Sequence, residues 1–224
     1  SRMSDWTTYE DVRSFIPTKK LPPFWIELAG ISYCDHTYRI SRVDSDVTVI
    51  EYIISGSGTL SIAGNIYTPT AGDIYILPVG TDHSYEADPN DPWIKIFMNL
   101  QGSAVPGMVE AFGMHQKVLY HGCQELYPIF TSMFEVVNSE ASTDQIMEQC
   151  CMLLVKLLNK MSIMCFNGMQ PTDEASQLKS FIDRNYHRDL SIRDIAGSIF
   201  RSNDYANKLF KQCYGMTPYA YYID

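Results

Sequence analysis

The chain has 224 residues and carries 26 acidic against 17 basic side chains, a formal net charge of −9 at pH 7. This charge excludes a general nucleic-acid-binding protein, whose affinity depends on excess positive charge. An apolar share of 46% without any run of membrane-spanning length indicates a globular protein with no membrane partner. Residues 1–171 hold the whole negative charge, because residues 172–224 contain seven acidic and seven basic side chains.

Cysteine usage and the N-terminal sequence predict a cytoplasmic protein. The six cysteines include no Cys-x-x-Cys pair, and Cys150 and Cys151 are adjacent, which would strain a disulfide between them. Free thiols in a reducing compartment are therefore expected. No secretory signal is visible in residues 1–23.

Short predicted strands follow residues 1–23 and run from residue 24 to about residue 100. Turn residues separate them, for example at Gly56, Gly58 and Pro78. Strands of this length and spacing indicate an antiparallel β-sandwich or barrel. The predicted strands are 25–28, 31–34, 38–40, 47–54, 59–62, 66–67, 74–77 and 93–100.

Apolar residues recur at helical spacing from about residue 109 to residue 167. One stripe follows residues 124–138, and a longer one follows residues 144–166. Part of this surface should pack on the sheet, although the longer stripe is wider than a sandwich alone would cover. The Gly and Pro residues of 168–172 then indicate a linker.

Residues 173–224 are predicted to be helical, with two short helices and a tight break between them in 190–218. The helix before this pair has an apolar face of Leu178, Phe181, Ile182 and Tyr186, and the second helix of the pair is expected to pack through Tyr205, Leu209, Phe210 and Cys213. Predicted caps mark the helix ends. They are Ser191 with Asp194, Ser202, Gly215, and Thr217 with Pro218. A compact helix pair with exposed Asn and Lys suits a DNA major groove.

Two stretches resemble one family, the AraC/XylS family of bacterial transcription regulators. Residues 190–218 resemble its first helix-turn-helix in spacing, caps and terminal glycine. The matching residues are Leu190-Ser191, Asp194-Ile195-Ala196, Ser202, Tyr205, Leu209-Phe210-Lys211 and Gly215-Met216-Thr217-Pro218. Residues 56–85, GSGTLSIAGNIYTPTAGDIYILPVGTDHSY, resemble its cupin-like sugar-binding half.

The resemblance implies an α+β fold, with a cupin-like antiparallel β-sandwich or barrel before a helical dimerisation segment and a helix-turn-helix domain. The last domain is expected to be truncated, because family members carry a second such motif after a long linking helix and residue 224 falls early in that helix. An N-terminal arm would fold over a ligand, and a frayed terminus is the alternative. The expected boundaries are 1–23 for the arm, 24–108 for the ligand-binding domain, 109–167 for the dimerisation segment, 168–172 for the linker and 173–224 for the DNA-binding domain.

The last predicted strand alternates in character along its length. Trp93, Lys95, Phe97 and Asn99 share one face, and the other face is aliphatic. The aliphatic face would pack on the helices, and the first face would line a cavity with an aromatic floor and a placed donor, which suits sugar binding. The alternative is an outer face on which Lys95 only contacts water.

Four further residues complete the predicted ligand site. Glu51 lies within an apolar strand and needs a partner, either Arg39 or Lys95. The resemblance implies an arginine contact near Arg39 and Arg42, and Arg39 is chosen because it flanks Tyr38 in a predicted strand, although an exposed surface residue is the alternative. The resemblance places His83 and Tyr85 at the pocket edge, and His83 could instead be a turn residue bonded to backbone. The predicted ligand-binding residues are therefore Arg39, Glu51, His83, Tyr85, Trp93, Lys95 and Phe97.

No catalytic motif or metal-binding spacing is present in the sequence. Cupin metal sites need a His-x-His pair with a nearby Glu and a later His. None of the five histidines, His36, His83, His115, His121 and His187, belongs to such a pair. We therefore expect no catalytic residues, no metal, no cofactor and no enzymatic activity.

The exposed side of the second short helix carries the predicted DNA contacts. Asn203, Asn207 and Lys208 are candidates for base edges, since Asn pairs with adenine and Lys reaches guanine. Phosphate contacts are assigned to Arg201, Ser202 and Lys211. A solvated helix face is the alternative.

These observations lead to one hypothesis and two alternatives. The hypothesis is a homodimeric, ligand-responsive transcription regulator that binds a sugar or glycoside and promoter DNA. One alternative is a cupin-fold isomerase or oxygenase with a helical tail. The other is a sensing or dimerisation module that does not bind DNA.

Overall fold

The computed structural model describes residues 8–168 and 173–224, and the chain divides into two compact units between Ser162 and Ile163. The predicted linker, 168–172, lies outside the described residues except for Gly168, as do residues 1–7 of the predicted arm. No helix of the described ranges is both long and apolar enough to cross a membrane.

The first unit contains ten strands, all paired antiparallel, in two sheets. The strands are β1 (Tyr9–Ser14), β2 (Trp25–Tyr33), β3 (Arg39–Arg42), β4 (Thr48–Ser55), β5 (Gly58–Ile62), β6 (Asn65–Tyr67), β7 (Ile74–Leu77), β8 (His83–Ala87), β9 (Ile94–Gln101) and β10 (Leu119–Tyr120). The larger sheet has the order β1-β2-β9-β4-β7-β10 and the smaller β3-β8-β5-β6. Both sheets contribute to one apolar core that includes Val49, Leu60, Tyr75 and Trp93. This confirms the α+β, cupin-like expectation.

Strands β4 and β9 lie side by side in the larger sheet and are buried on both faces. On the outer face of β4, the ring of Tyr52 contacts Tyr127 and Phe130, with centroids 5.1 and 5.5 Å apart. Ile96 is the register partner of Tyr52 and lies on the same face. The aliphatic face of β9 therefore packs toward the helices, and its alternate residues face the interior of the barrel.

Two glycines permit close approaches that shape the barrel. A Cβ at Gly58 would lie 2.1 Å from the Cζ3 atom of Trp93, so only glycine leaves room for the indole ring to pack against β5. A Cβ at Gly30 would lie 2.1 Å from the backbone oxygen of Asp11, so only glycine lets β1 run beside β2.

The strands β1, β8 and β10 were not predicted from the sequence. Residues 9–14 are mostly polar, yet they pair with the edge of β2, so the expectation of a frayed terminus is wrong for this stretch. β8 begins at His83 and pairs with both β3 and β5, so His83 is a strand residue rather than a turn residue. Backbone pairing with neighbouring strands decided both cases, and it leaves little trace in the local sequence.

Three helices lie between residues 104 and 168, and the last of them extends past the boundary between the two units. They are α1 (Ala104–Ala111), α2 (Tyr127–Val137) and α3 (Thr143–Gly168), with a short 3-10 helix at Gln124–Leu126 before α2. The predicted helical stripes are buried along α2 and α3, at residues such as Phe130, Cys150 and Leu157. On another side of α3, Met152 and Val155 remain 68% and 41% exposed.

The second unit holds α4 (Asp173–Asn185), α5 (Ile192–Gly197), α6 (Asn203–Tyr214) and α7 (Pro218–Ile223). The predicted caps are confirmed: Ser191 and Asp194 form a capping box, the hydroxyls of Ser202 and Thr217 accept N–H bonds, and Gly215 is left-handed with φ 78°. The core includes Leu178, Ile195, Ala206 and Phe210.

Three residues of the predicted helix faces do not enter this core, and one of them is Cys213, which is half-buried. Tyr186 lies beyond the end of α4 and is 71% exposed. Tyr205 is 38% exposed, and the neighbouring Ala206 is buried in its place. Phe210 fills the interior next to Ala206, because the two are four residues apart on one face of α6.

Candidate functional site

A buried ion pair lies inside the barrel, between β4 and β9. The ammonium nitrogen of Lys95 is 2.7 Å from Oε2 of Glu51, and the two side chains are 0% and 2% exposed. The hydroxyl of Tyr75 on β7 donates a short hydrogen bond to the same carboxylate oxygen. Lys95 also donates to the Tyr75 hydroxyl at 3.4 Å. The carboxylate and the ammonium therefore stabilise each other away from bulk solvent.

Aromatic rings surround the ammonium group of Lys95. The nitrogen is 4.2 Å from the ring centroid of Tyr85, 4.7 Å from that of Tyr38 and 4.9 Å from that of Trp93. A cation over an aromatic face is attracted by the ring quadrupole, most strongly where water is excluded. The rings and Glu51 together replace the hydration shell of the lysine.

The protonation states in this cluster follow from burial and from the ion pair. Burial by itself lowers the pKa of Lys95, but the Glu51 carboxylate beside it raises this pKa above its usual value. Burial, reinforced by Glu51, raises the pKa of Tyr85 to about 12. At neutral pH the interior therefore contains a charged lysine and a neutral phenol.

A second polar group lies beside Tyr85. Arg42 on β3 donates from Nη1 to the Tyr85 hydroxyl at 2.9 Å. The His83 ring stacks on Tyr85 with a centroid distance of 6.1 Å and an interplanar angle of 17°. Burial and the charge of Arg42 lower the pKa of His83 to about 4, so the imidazole is neutral near pH 7.

The hydrogen bonds of Thr81 assign the tautomer of His83. The Thr81 hydroxyl donates to the backbone oxygen of Pro78 at 2.7 Å, and its oxygen lies 3.1 Å from Nδ1 of His83. Nδ1 must therefore carry the proton, which leaves Nε2 as an acceptor. Among the described residues no partner reaches this buried Nε2 atom or Oδ1 of Asn99. The barrel thus offers an arginine donor and a histidine acceptor next to one tyrosine.

The exposed surface of α6 is the second candidate site. Asn203, Lys208 and Lys211 are exposed, and neither lysine joins an ion pair within the ranges that the structure describes. Asn207 is half-buried and lines a cleft of about 550 Å³ with residues of α7 and of the start of α5. Arg201, just before the helix, is paired with Glu174 at 2.9 Å.

Residues 26–156 match the family of AraC-like ligand binding domains, and this match covers more than half of the chain. The chain belongs to this family. It is 23% identical over 201 residues to the Msm operon regulatory protein of Streptococcus mutans, and this alignment covers 87% of this chain and 72% of that protein. It is also 23% identical over 181 residues to the lactose operon transcription activator of Staphylococcus xylosus, and that alignment covers 78% of this chain and 65% of that protein.

A third relative has a similar coverage. The raffinose operon regulatory protein of Pediococcus pentosaceus is 28% identical over 196 residues, 82% of this chain and 69% of that protein. The chain therefore spans about two thirds of the length of these relatives. Among solved structures, the AraC-like transcriptional activator CuxR aligns with a TM-score of 0.45 at 12% identity, over 90% of this chain and 80% of that one.

In this AraC-like chain, the structure brings together most of the predicted ligand residues. Glu51, Tyr85, Trp93 and Lys95 form the cluster inside the barrel, and His83 stacks at its side. Phe97 is 4% exposed and is the register partner of Glu51 on β9. Of the two partners considered for Glu51, Lys95 is the one found.

The structure does not bring Arg39 to the cluster of this AraC-like barrel. Arg39 is exposed and pairs with Glu86 on the outer face, whereas Arg42 points to Tyr85. The two arginines are three residues apart in one strand, so they lie on opposite faces. Tyr38 and Tyr75 were missed as site residues, and the choice of Arg39 over Arg42 was wrong for this cluster. Only the register of β3 against β8, which pairs Arg42 with His83, could have indicated Arg42.

The six predicted DNA contacts of the AraC-like chain lie just before α6 or along it, with Lys211 in its last turn, and they differ in availability. Ser202 uses its hydroxyl oxygen to cap the helix. Arg201 is held by Glu174, and Asn207 is half-buried. Asn203, Lys208 and Lys211 are exposed. In the described ranges, no three His, Cys, Asp or Glu side chains are grouped so that they could hold a metal ion.

Proposed function

We propose that this chain is a ligand-responsive transcription regulator whose barrel binds a small carbohydrate effector and whose helical unit binds DNA. The observation that carries the proposal is the polar cluster of Arg42, His83 and Tyr85 inside a domain of the AraC-like ligand-binding family. A guanidinium donor beside an imidazole acceptor suits a hydroxyl group, which accepts from the first and donates to the second.

The names of the relatives support a carbohydrate as the effector. Two of them are regulators of lactose and raffinose operons. Sugars present hydroxyl groups along their edges and C–H groups on their faces, so they bind sites that combine placed polar groups with aromatic rings. Of the predicted ligand residues, we assign direct contacts to His83 and Tyr85, with Phe97, Trp93 and the Glu51–Lys95 pair behind them.

The effector is tested by a thermal-shift screen with mono- and oligosaccharides. A ligand that binds only the folded chain raises the melting temperature with increasing concentration. We expect Arg42→Ala to abolish the shift and Arg39→Ala to preserve it, since the two arginines share a strand but only Arg42 contacts Tyr85. The reverse result would restore Arg39 as the ligand contact. If both variants keep the shift, the cluster around Tyr85 is not the ligand site.

DNA binding is proposed for the exposed face of α6. The confirmed caps, the compact helix pair and the exposed Asn203, Lys208 and Lys211 support it. Binding to a labelled duplex should weaken in Lys208→Ala and keep its affinity in Lys156→Ala, which removes a lysine from α3 instead. A chain that binds a sugar but no DNA would support the alternative of a sensing module. Turnover of the sugar would support the enzyme alternative.

We also propose that α3 forms a contact between two copies. Met152 and Val155 are large apolar side chains left exposed on a helix whose other side is buried. Light scattering should report a dimer for the native chain and a monomer for Met152→Glu. A native monomer at high concentration would contradict this part of the proposal.

A further inference from the structure

The carboxylate of Glu174 holds both residues that flank the start of α6. Arg201 donates to its Oε1 atom from Nε at 3.1 Å and from Nη2 at 2.9 Å. The Tyr205 hydroxyl donates to its Oε2 atom at 2.6 Å. The Arg201 guanidinium also lies over the Tyr205 ring, 4.6 Å from its centroid. Three contacts between α4 and the first turn of α6 therefore converge on one carboxylate.

Arg201, which this contact engages, lies just before the end of α6 that would meet DNA. A helix-turn-helix approaches DNA with the N-terminal residues of its second helix, here α6, and its arginines contact phosphates. Two N–H groups of Arg201 are already used by Glu174. A phosphate that approached Arg201 would also lie close to the carboxylate of Glu174, and the two negative charges would repel each other.

Charge in the rest of this unit does not compensate. Residues 172–224 contain equal numbers of acidic and basic side chains, so the unit has no excess positive charge that could replace the masked arginine in attracting DNA. Asp204 adds a further negative charge in the first turn of α6. Only Lys208 and Lys211 then remain as exposed cations on α6 itself.

We propose that Glu174 masks Arg201, so that the helix-turn-helix attracts DNA weakly until this carboxylate is neutralised or displaced. Glu174 is the second residue of α4, in the first turn of that helix. The two paired side chains are 49% and 32% exposed, so solvent or a DNA phosphate can replace either partner. This inference rests on the proposed DNA binding of α6 and adds an autoinhibitory contact to it.

The test compares Glu174→Gln with Asp189→Asn, which removes the same charge from the same unit away from Arg201. The readout is fluorescence anisotropy of a short labelled duplex of arbitrary sequence, over a range of salt concentrations. We expect Glu174→Gln to bind roughly fivefold more tightly at low salt, with a salt slope steeper by about 0.9, the value for one more phosphate contact. Asp189→Asn should keep the native slope.

The variant Arg201→Ala completes a double-mutant cycle. If Glu174 acts through Arg201, Glu174→Gln should give no gain in affinity when Arg201 is already Ala. A gain of equal size in both backgrounds overturns the proposal, because it would reflect only a general loss of negative charge. Equal or weaker binding of Glu174→Gln, with a folded unit by circular dichroism, overturns it as well and would make Glu174 a support for Arg201.

Failure of the proposed DNA binding gives a different pattern. If neither the native chain nor Glu174→Gln binds the duplex at low salt, the masking contact and the DNA-binding function are both overturned. If the native chain binds and Glu174→Gln binds no better, only the masking contact is overturned.

Discussion

The two units of the chain each contain a carboxylate–cation pair, in opposite surroundings. In the barrel, the side chains of Lys95 and Glu51 are 0% and 2% exposed. In the helical unit, those of Arg201 and Glu174 are 49% and 32% exposed. Both pairs have short contacts, and both are supported by a tyrosine hydroxyl. Solvent therefore makes the main difference between them.

This difference indicates how each pair behaves when its partner changes. A buried charge that loses its partner stays desolvated, so the remaining ion lowers the stability of the folded state. An exposed charge that loses its partner is hydrated at once, so the pair contributes little to folding. The barrel pair is a fixed part of the core, and the helical pair is free to exchange its partner for another anion.

The largest expected effect comes from breaking the barrel pair. Lys95→Met leaves Glu51 buried without its cation, and we expect it to lower the free energy of unfolding by about 3–5 kcal/mol. The double variant Glu51→Gln/Lys95→Met should recover much of this loss. Urea unfolding followed by tryptophan fluorescence measures both. If the single and double variants are equally unstable, the cost arises from lost packing rather than from the unpaired charge.

The next effect is a pH dependence of stability that arises from His83 in the barrel. The pKa of His83 is about 4 in the folded chain and near 6.5 when unfolded, so the unfolded state binds more protons between these values. Stability should therefore fall as the pH drops from 6.5 to 4, by up to about 3 kcal/mol. Arg42 and Asp82 are the charged groups that act on His83. His83→Gln should remove this part of the pH dependence, and an unchanged profile would contradict the assignment.

A smaller effect is expected from a cap in the helical unit. Ser202→Ala removes the acceptor for the Tyr205 N–H and should destabilise α6 by about 1 kcal/mol. Hydrogen exchange should speed up along α6 and remain unchanged in the strands of the barrel. Ser180→Ala, in the exposed middle of α4, serves as the control. Equal effects of the two substitutions would argue against the capping role.

The smallest effect on stability is expected from breaking the exposed pair. Glu174→Gln should leave the melting temperature unchanged within error, because water replaces the lost charge interaction. Differential scanning calorimetry at low and high salt provides the measurement. A loss as large as that of Lys95→Met would contradict the contrast between the two pairs.

Elements whose signals are local could be predicted from the sequence. The caps at Ser191, Ser202 and Gly215 were predicted correctly because each depends on a hydrogen bond or a backbone angle within a few residues. The alternation along β9 also predicted which of its faces meets the helices, since side chains alternate in any strand. The resemblance to the AraC family followed from the same local spacing of caps and turns.

Contacts between residues of different strands could not be predicted in this way, because they depend on how the strands pair in the folded chain. The pairing of β3 with β8 places Arg42, and not Arg39, beside Tyr85. The arrangement of the strands inside the barrel gives Glu51 its partner Lys95 and surrounds that lysine with aromatic rings. Register and sheet order depend on contacts between distant parts of the chain, and a single sequence does not contain these contacts in any short window.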